Sequence, residues 1–154
     1  TMEEHYMDSY SSKELKRYNH LVNEIDGTYH EISLKLGLSD SAMIVLYTIC
    51  NQGDHCLLAD ICRWAGLSKQ TINSALRKLE ADGAIRLEMA GSKNKNVALT
   101  EAGKKLAQRT ALQVIKAENE IFADWAGEDV EKYLELTERF LTALKEKAKG
   151  VLSK

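Results

Sequence analysis

From Ser68 to Leu79 two kinds of residue recur at helical spacing. Ile72, Ala75, Leu76 and Leu79 return every three or four positions, so a helix formed here has one apolar face. The other face collects Lys69, Gln70, Thr71, Asn73, Ser74, Arg77 and Lys78. Amide side chains of this kind hydrogen-bond the edges of nucleic-acid bases, and cations and hydroxyls reach phosphates or bases. Ser68 stands where an N-cap is expected, so backbone N–H groups and the positive end of the helix dipole would face any anion in front of it. Further along, Lys93 and Lys95 lie in Gly91-Ser92-Lys93-Asn94-Lys95-Asn96, a basic, glycine-containing stretch suited to a mobile hairpin tip. Simple solvation is the competing account of such polar faces, and Gln70 and Asn73 in particular are open to it.

These side chains need a scaffold. Lys13 to Leu36 carries Leu15, Tyr18, Leu21, Val22, Ile25, Tyr29, Ile32 and Leu36 at a spacing that reads as one long amphipathic helix, weakened in the middle by Gly27. Ser39 or Ser41 can cap a second, largely buried helix ending before Gly53. Leu57 to Ala65 reads as a short helix, and Gly66-Leu67 leads to Ser68 and a helix over Lys69 to Ala81. Its apolar stripe is expected to pack on Leu58, Ile61, Cys62 and Ala65. From Ala84 to Thr100 the period changes to two, which predicts a β-hairpin. A single long helix is expected from Thr100 or Glu101 to about Trp125, and a last one from Gly127 to Gly150. The sum is a mainly α fold with a small β-hairpin wing, a winged helix-turn-helix, followed by two C-terminal helices.

Bulk properties bound the function classes. The 154 residues suit one compact domain of ordinary globular composition, and no apolar run approaches the roughly 18 residues that span a bilayer, so a cytoplasmic protein with no membrane partner is expected. Net charge is only −2, but it is unevenly spread: Arg63 to Lys105 holds nine cations against four carboxylates, a local +5 that leaves −7 on the rest. Cys50, Cys56 and Cys62 are odd in number and six residues apart, which is neither a disulfide framework nor a zinc-ligand pattern. Cys50 and Cys62 fall on apolar helix positions, whereas Cys56, beside His55 in an expected loop, is the one thiol suited to redox sensing. No nucleophile elbow, phosphate-binding glycine loop or paired carboxylate marks an active site, so neither an enzyme nor a cofactor is expected.

The run Asp60-Ile61-Cys62-Arg63-Trp64-Ala65-Gly66-Leu67-Ser68-Lys69-Gln70-Thr71-Ile72-Asn73-Ser74-Ala75-Leu76-Arg77-Lys78-Leu79-Glu80-Ala81-Asp82-Gly83, with Leu99-Thr100-Glu101-Ala102-Gly103 beyond the hairpin, resembles the MarR family of bacterial transcriptional regulators. The resemblance implies a homodimer in which a helix within 1–38 and helices within 104–154 interlock around a DNA-binding lobe over 39–103. It implies duplex DNA as partner, with Ser68, Lys69, Gln70, Thr71, Asn73, Ser74, Arg77, Lys78, Lys93 and Lys95 at the interface, and repression at a pseudo-palindromic operator. It also implies a cleft for a small, often aromatic effector, bordered here by Tyr29, His30 and Tyr47. For each of those three residues, core packing is the alternative. One departure stands out: the wing positions where the family usually has an acid and two arginines are Gly91, Ser92 and Lys93. Two other readings stay open, a winged-helix module used for dimerisation or protein contacts alone, and a thiol sensor built on Cys56.

Overall fold

The structure, a computed structural model, describes residues 10–153. The first nine residues of the segment assigned to 1–38, and Lys154, lie outside the described residues. Helix α1 (Lys13–Lys35) is followed by α2 (Asp40–Asn51), strand β1 (His55–Leu57), α3 (Leu58–Trp64), α4 (Lys69–Ala81), β2 (Ile85–Ala90), β3 (Asn94–Leu99), α5 (Glu101–Arg109), α6 (Ala111–Asp124) and α7 (Gly127–Leu152). The hydroxyls of Ser12, Ser39, Ser68 and Thr100 cap α1, α2, α4 and α5 by accepting from N–H groups three residues on, which satisfies donors that a helix start leaves without partners. Among the described residues no single helix is long and apolar enough to cross a membrane.

The chain forms two compact units, one ending at Leu112 and one beginning at Gln113. In the first, α2 supplies the centre of the core. Val45, Leu46 and Ile49 are fully enclosed, together with Ile61 of α3, Ile72 of α4 and Val97 of β3. The stripe read from the sequence of α4 is the buried one: Ile72, Ala75, Leu76 and Leu79. In the second unit Phe122, Trp125 and Tyr133 meet at the α6–α7 corner. The Phe122–Trp125 and Trp125–Tyr133 pairs are both edge-to-face at 5.5 Å between centroids, a favoured aromatic geometry. Much of the apolar surface of α7, including Leu134, Leu141 and Leu144, is open to solvent.

Four expectations are corrected. A third strand, β1, precedes α3 and pairs antiparallel with β3, giving the sheet order β1-β3-β2. Three residues are too few for an alternation pattern to register. The hairpin tip is shorter than expected: pairing continues to Ala90 and Asn94, so Lys95 and Asn96 sit in the ladder and only Gly91, Ser92 and Lys93 turn the chain. The expected long helix after the wing breaks at Thr110, whose Oγ1 donates to the Leu106 carbonyl at 2.6 Å and whose backbone leaves helical geometry (φ −129°, ψ −97°). Finally, Gly150 does not end α7, which runs on to Leu152, since a lone helical glycine costs only about 1 kcal/mol.

Gly103, in the first turn of α5, is forced by packing. A Cβ there would overlap the backbone carbonyl of Ala84, which has no flexible atom to yield. Gly103→Ala is therefore expected to destabilise the fold by about 3 kcal/mol, the upper end for overpacking, as a lower midpoint in chemical denaturation at fixed protein concentration.

Candidate nucleic-acid interface

Helix α4 begins at a doubly used hydroxyl. Ser68 Oγ accepts from the Thr71 N–H at 3.2 Å and lies 2.8 Å from Thr71 Oγ1, so these two candidate residues are engaged with each other at the helix start. Since the buried stripe fixes the roll of the helix, spacing of 100° per residue puts Gln70, Ser74 and Arg77 at the middle of the opposite face. Lys69, Thr71 and Lys78 are also exposed, and Asn73 is half-buried at the flank. Arg77 Nε donates to the Asn73 carbonyl at 3.4 Å, which draws the guanidinium back along the helix surface.

The local positive charge is partly spent inside the molecule. Arg63 pairs with Asp60, Lys104 with Asp54 and Glu101, and Arg86 with Glu88. Arg86 also donates to the Leu99 carbonyl at 3.3 Å; the hydrogen bond and charge of Glu88 push its pKa further up, so this cation braces the base of the wing. Lys78 lies 3.8 Å from Asp82 with both side chains well exposed, an ion pair weak enough to exchange for another anion. Among the described residues, Lys69, Arg77, Lys93 and Lys95 have no carboxylate within ion-pair distance. Those four belong to α4 and the wing; Lys105 and Arg109 on α5 are exposed and, among the described residues, without such a partner as well.

At the wing, Lys93 is in the turn and Lys95 stands opposite Met89 within the ladder. A paired strand sets the direction of Lys95 more narrowly than a loose loop would, which corrects the expectation of a mobile tip carrying both lysines.

The candidate effector residues are divided between two packed helices. Tyr29 and His30 lie on α1, Tyr47 is half-buried on α2, and α1 packs on α2. His30 Nδ1 lies 2.7 Å from Asp40 Oδ2, joining α1 to the first residue of α2.

Residues 36–92, from the end of α1 to the wing tip, match a family model described as MarR family. Over that stretch the chain is similar to the MarR family. A relative is the uncharacterized HTH-type transcriptional regulator YwoH of Bacillus subtilis, 26% identical over 130 residues, which are 79% of this chain and 94% of that protein. Among solved structures, a MarR family regulator from Neisseria meningitidis is similar with a TM-score of 0.77 at 18% identity, covering 90% of this chain and 98% of its own. The MepR–DNA complex of Staphylococcus aureus gives 0.64 at 18%, covering 88% and 99%. The fold is thus similar to that of these solved structures, mostly helical with a small antiparallel sheet, and the sequence resemblance to the MarR family is met by the match over residues 36–92.

The thiol reading meets an obstacle in this fold. Cys56 is not in an exposed loop but in β1 opposite Val97, only 4% exposed. Burial, with the charge of Asp60, pushes its thiol pKa up, and burial does the same for Cys50. A raised thiol pKa in the folded state means a stability contribution present below the unfolded value of 9.0 and lost as pH rises past it, because the unfolded chain ionises first. Two outcomes are expected: denaturation midpoints fall above pH 9, and Cys56 reacts with Ellman's reagent at neutral pH only at the rate at which the fold opens.

Proposed function

We infer that the chain binds duplex DNA as a homodimer at a pseudo-palindromic operator and regulates transcription there, acting in the cytoplasm. The observation that carries this is the outward face of α4, where Gln70, Ser74 and Arg77 are presented opposite a buried stripe, with the unpaired cations Lys69 and Arg77 on the same helix and Lys93 and Lys95 on the wing. Amides and arginine suit base edges in a major groove, and Ser68, Lys69, Thr71, Lys78, Lys93 and Lys95 suit phosphates or an adjacent minor groove. Asn73, half-buried, takes a flanking contact. The MepR–DNA complex supports the reading, since a chain of the same fold is seen there with DNA.

Dimerisation rests on exposed apolar rows. Leu15, Leu21 and Ile25 on α1, and Leu134, Leu141 and Leu144 on α7, are open to solvent in the single chain, a quantity of apolar surface that favours association. A two-fold dimer would place two α4 helices on half-sites about 10 bp apart. Binding across a promoter represses by occlusion, and a small, often aromatic effector between α1 and α2, near Tyr29, His30 and Tyr47, would release the operator by changing the spacing of the two helices. The dimer is expected to persist at micromolar concentration in sedimentation experiments, and Leu141→Asp with Leu144→Asp to give a folded monomer.

Gly91 and Ser92 in place of charged wing residues favour a second reading, a winged-helix module used only for protein contacts. Fluorescence anisotropy with a duplex from upstream of the coding sequence, an unrelated duplex as control, and several salt concentrations separates the two. The parent is expected to prefer the upstream duplex with a steep salt slope, and Arg77→Ala with Lys78→Ala to lose at least tenfold in affinity while remaining dimeric. Equal, weak binding of parent and variant to both duplexes would favour the interaction module.

A further inference from the structure

Thr100, outside the candidate DNA contacts, serves two elements with one hydroxyl. Helix α4 ends in a paired-bond C-cap: the Gly83 N–H donates to the Glu80 carbonyl at 3.0 Å and the Ala84 N–H to the Leu79 carbonyl at 2.9 Å, with Gly83 at φ +76°. The two carbonyls that follow are both taken by one residue. Thr100 Oγ1 donates to Gly83 O at 2.5 Å, and the Thr100 N–H donates to Ala84 O at 3.0 Å. The same Oγ1 accepts from the Gly103 N–H at 3.0 Å, capping α5. Gly103 in turn rests against the Ala84 carbonyl, with no room for a Cβ. One hydroxyl therefore uses its proton on the end of α4 and its lone pair on the start of α5, while its backbone ends β3.

We propose that Thr100 is a positioning residue that locks the C-terminal end of α4 to the wing and to α5, so that α4 and the hairpin engage DNA as one body. The inference rests on the DNA-binding reading above. Sequence-specific contact demands that α4 and the wing meet their grooves together, whereas non-specific phosphate attraction tolerates a swinging helix. The hydroxyl proton therefore contributes to specificity more than to overall affinity.

Three substitutions divide its roles. Thr100→Ser keeps both bonds. Thr100→Val keeps the shape and loses both. Thr100→Asp keeps the cap on α5, since a carboxylate accepts from the Gly103 N–H, but has no proton for Gly83 O; it also guards against a valine variant that fails to fold. Binding to the preferred and unrelated duplexes is read by anisotropy, and amide hydrogen exchange across Leu79–Ile85 is read without DNA. Val and Asp are expected to lose about tenfold of the preference for the operator, the value of one good base contact, with unrelated-duplex affinity unchanged and exchange at the α4 terminus faster, while Ser matches the parent. Operator preference retained in Asp would overturn the proposal by showing that capping alone matters, as would an equal loss on both duplexes. If the parent itself shows no preference, the DNA-binding reading fails, and unchanged exchange in Val and Asp then independently removes the lock.

Discussion

Ile72, Ala75, Leu76 and Leu79 are buried along one face of α4 against a core centred on α2, and the rest of the lobe follows from that constraint. A helix held along one stripe cannot roll: turning it by a single residue's worth, 100°, would bring an apolar side chain out and a polar one in. Each fully buried aliphatic side chain contributes about 1.5–3 kcal/mol, so even a partial roll is costly compared with the stability of a small domain. The direction of Gln70, Ser74 and Arg77 is consequently set by residues that touch nothing outside. The sheet obeys the same rule, since Val97 and Leu99 are buried from one end of β3 while Lys95 and Asn94 extend beyond the core from the other.

Charge is organised by a complementary logic. Four of the cations in the basic stretch are matched to carboxylates, and two of them brace the fold: Arg86 ties β2 to the end of β3, and Lys104 links α5 to Asp54 before β1. A count of Lys and Arg along the sequence overstates the charge offered to a ligand, because it leaves out their pairing, which is local for Arg63, Lys78 and Arg86 and reaches across the chain for Lys104 and Asp54. What remains outward is concentrated on α4 and the wing, a smaller field than the net count suggests but better placed.

Much of this was legible beforehand. The stripe of α4, the Ser68 cap, the core character of α2 and the change of period at Ala84 are local signals of ten residues or so, and the buried residues match them. Several of the misses have a cause in non-local partners. Strand β1 exists because β3 is there to pair with it, and the enclosure of Cys56 follows from that pairing, which no property of His55-Cys56-Leu57 announces. Thr100 and Gly103 were visible as a motif, but the reason for their types, a shared carbonyl surface at Gly83 and Ala84, appears only in three dimensions.

The three-residue turn of the wing gives the lobe an uneven tolerance for change. Because the ladder closes at Ala90 and Asn94, Gly91, Ser92 and Lys93 are supported from below and carry none of the core. Lengthening of such a tip, or exchange of Ser92 or Lys93, leaves the folding free energy nearly untouched, whereas Gly91 at φ +86° resists a side chain. At the other end of the same hairpin, a single methylene added to Gly103 meets rigid backbone. The wing is thus an interchangeable arm on a fixed joint: relatives could diverge freely in what the arm's end reads while the joint admits almost no variation.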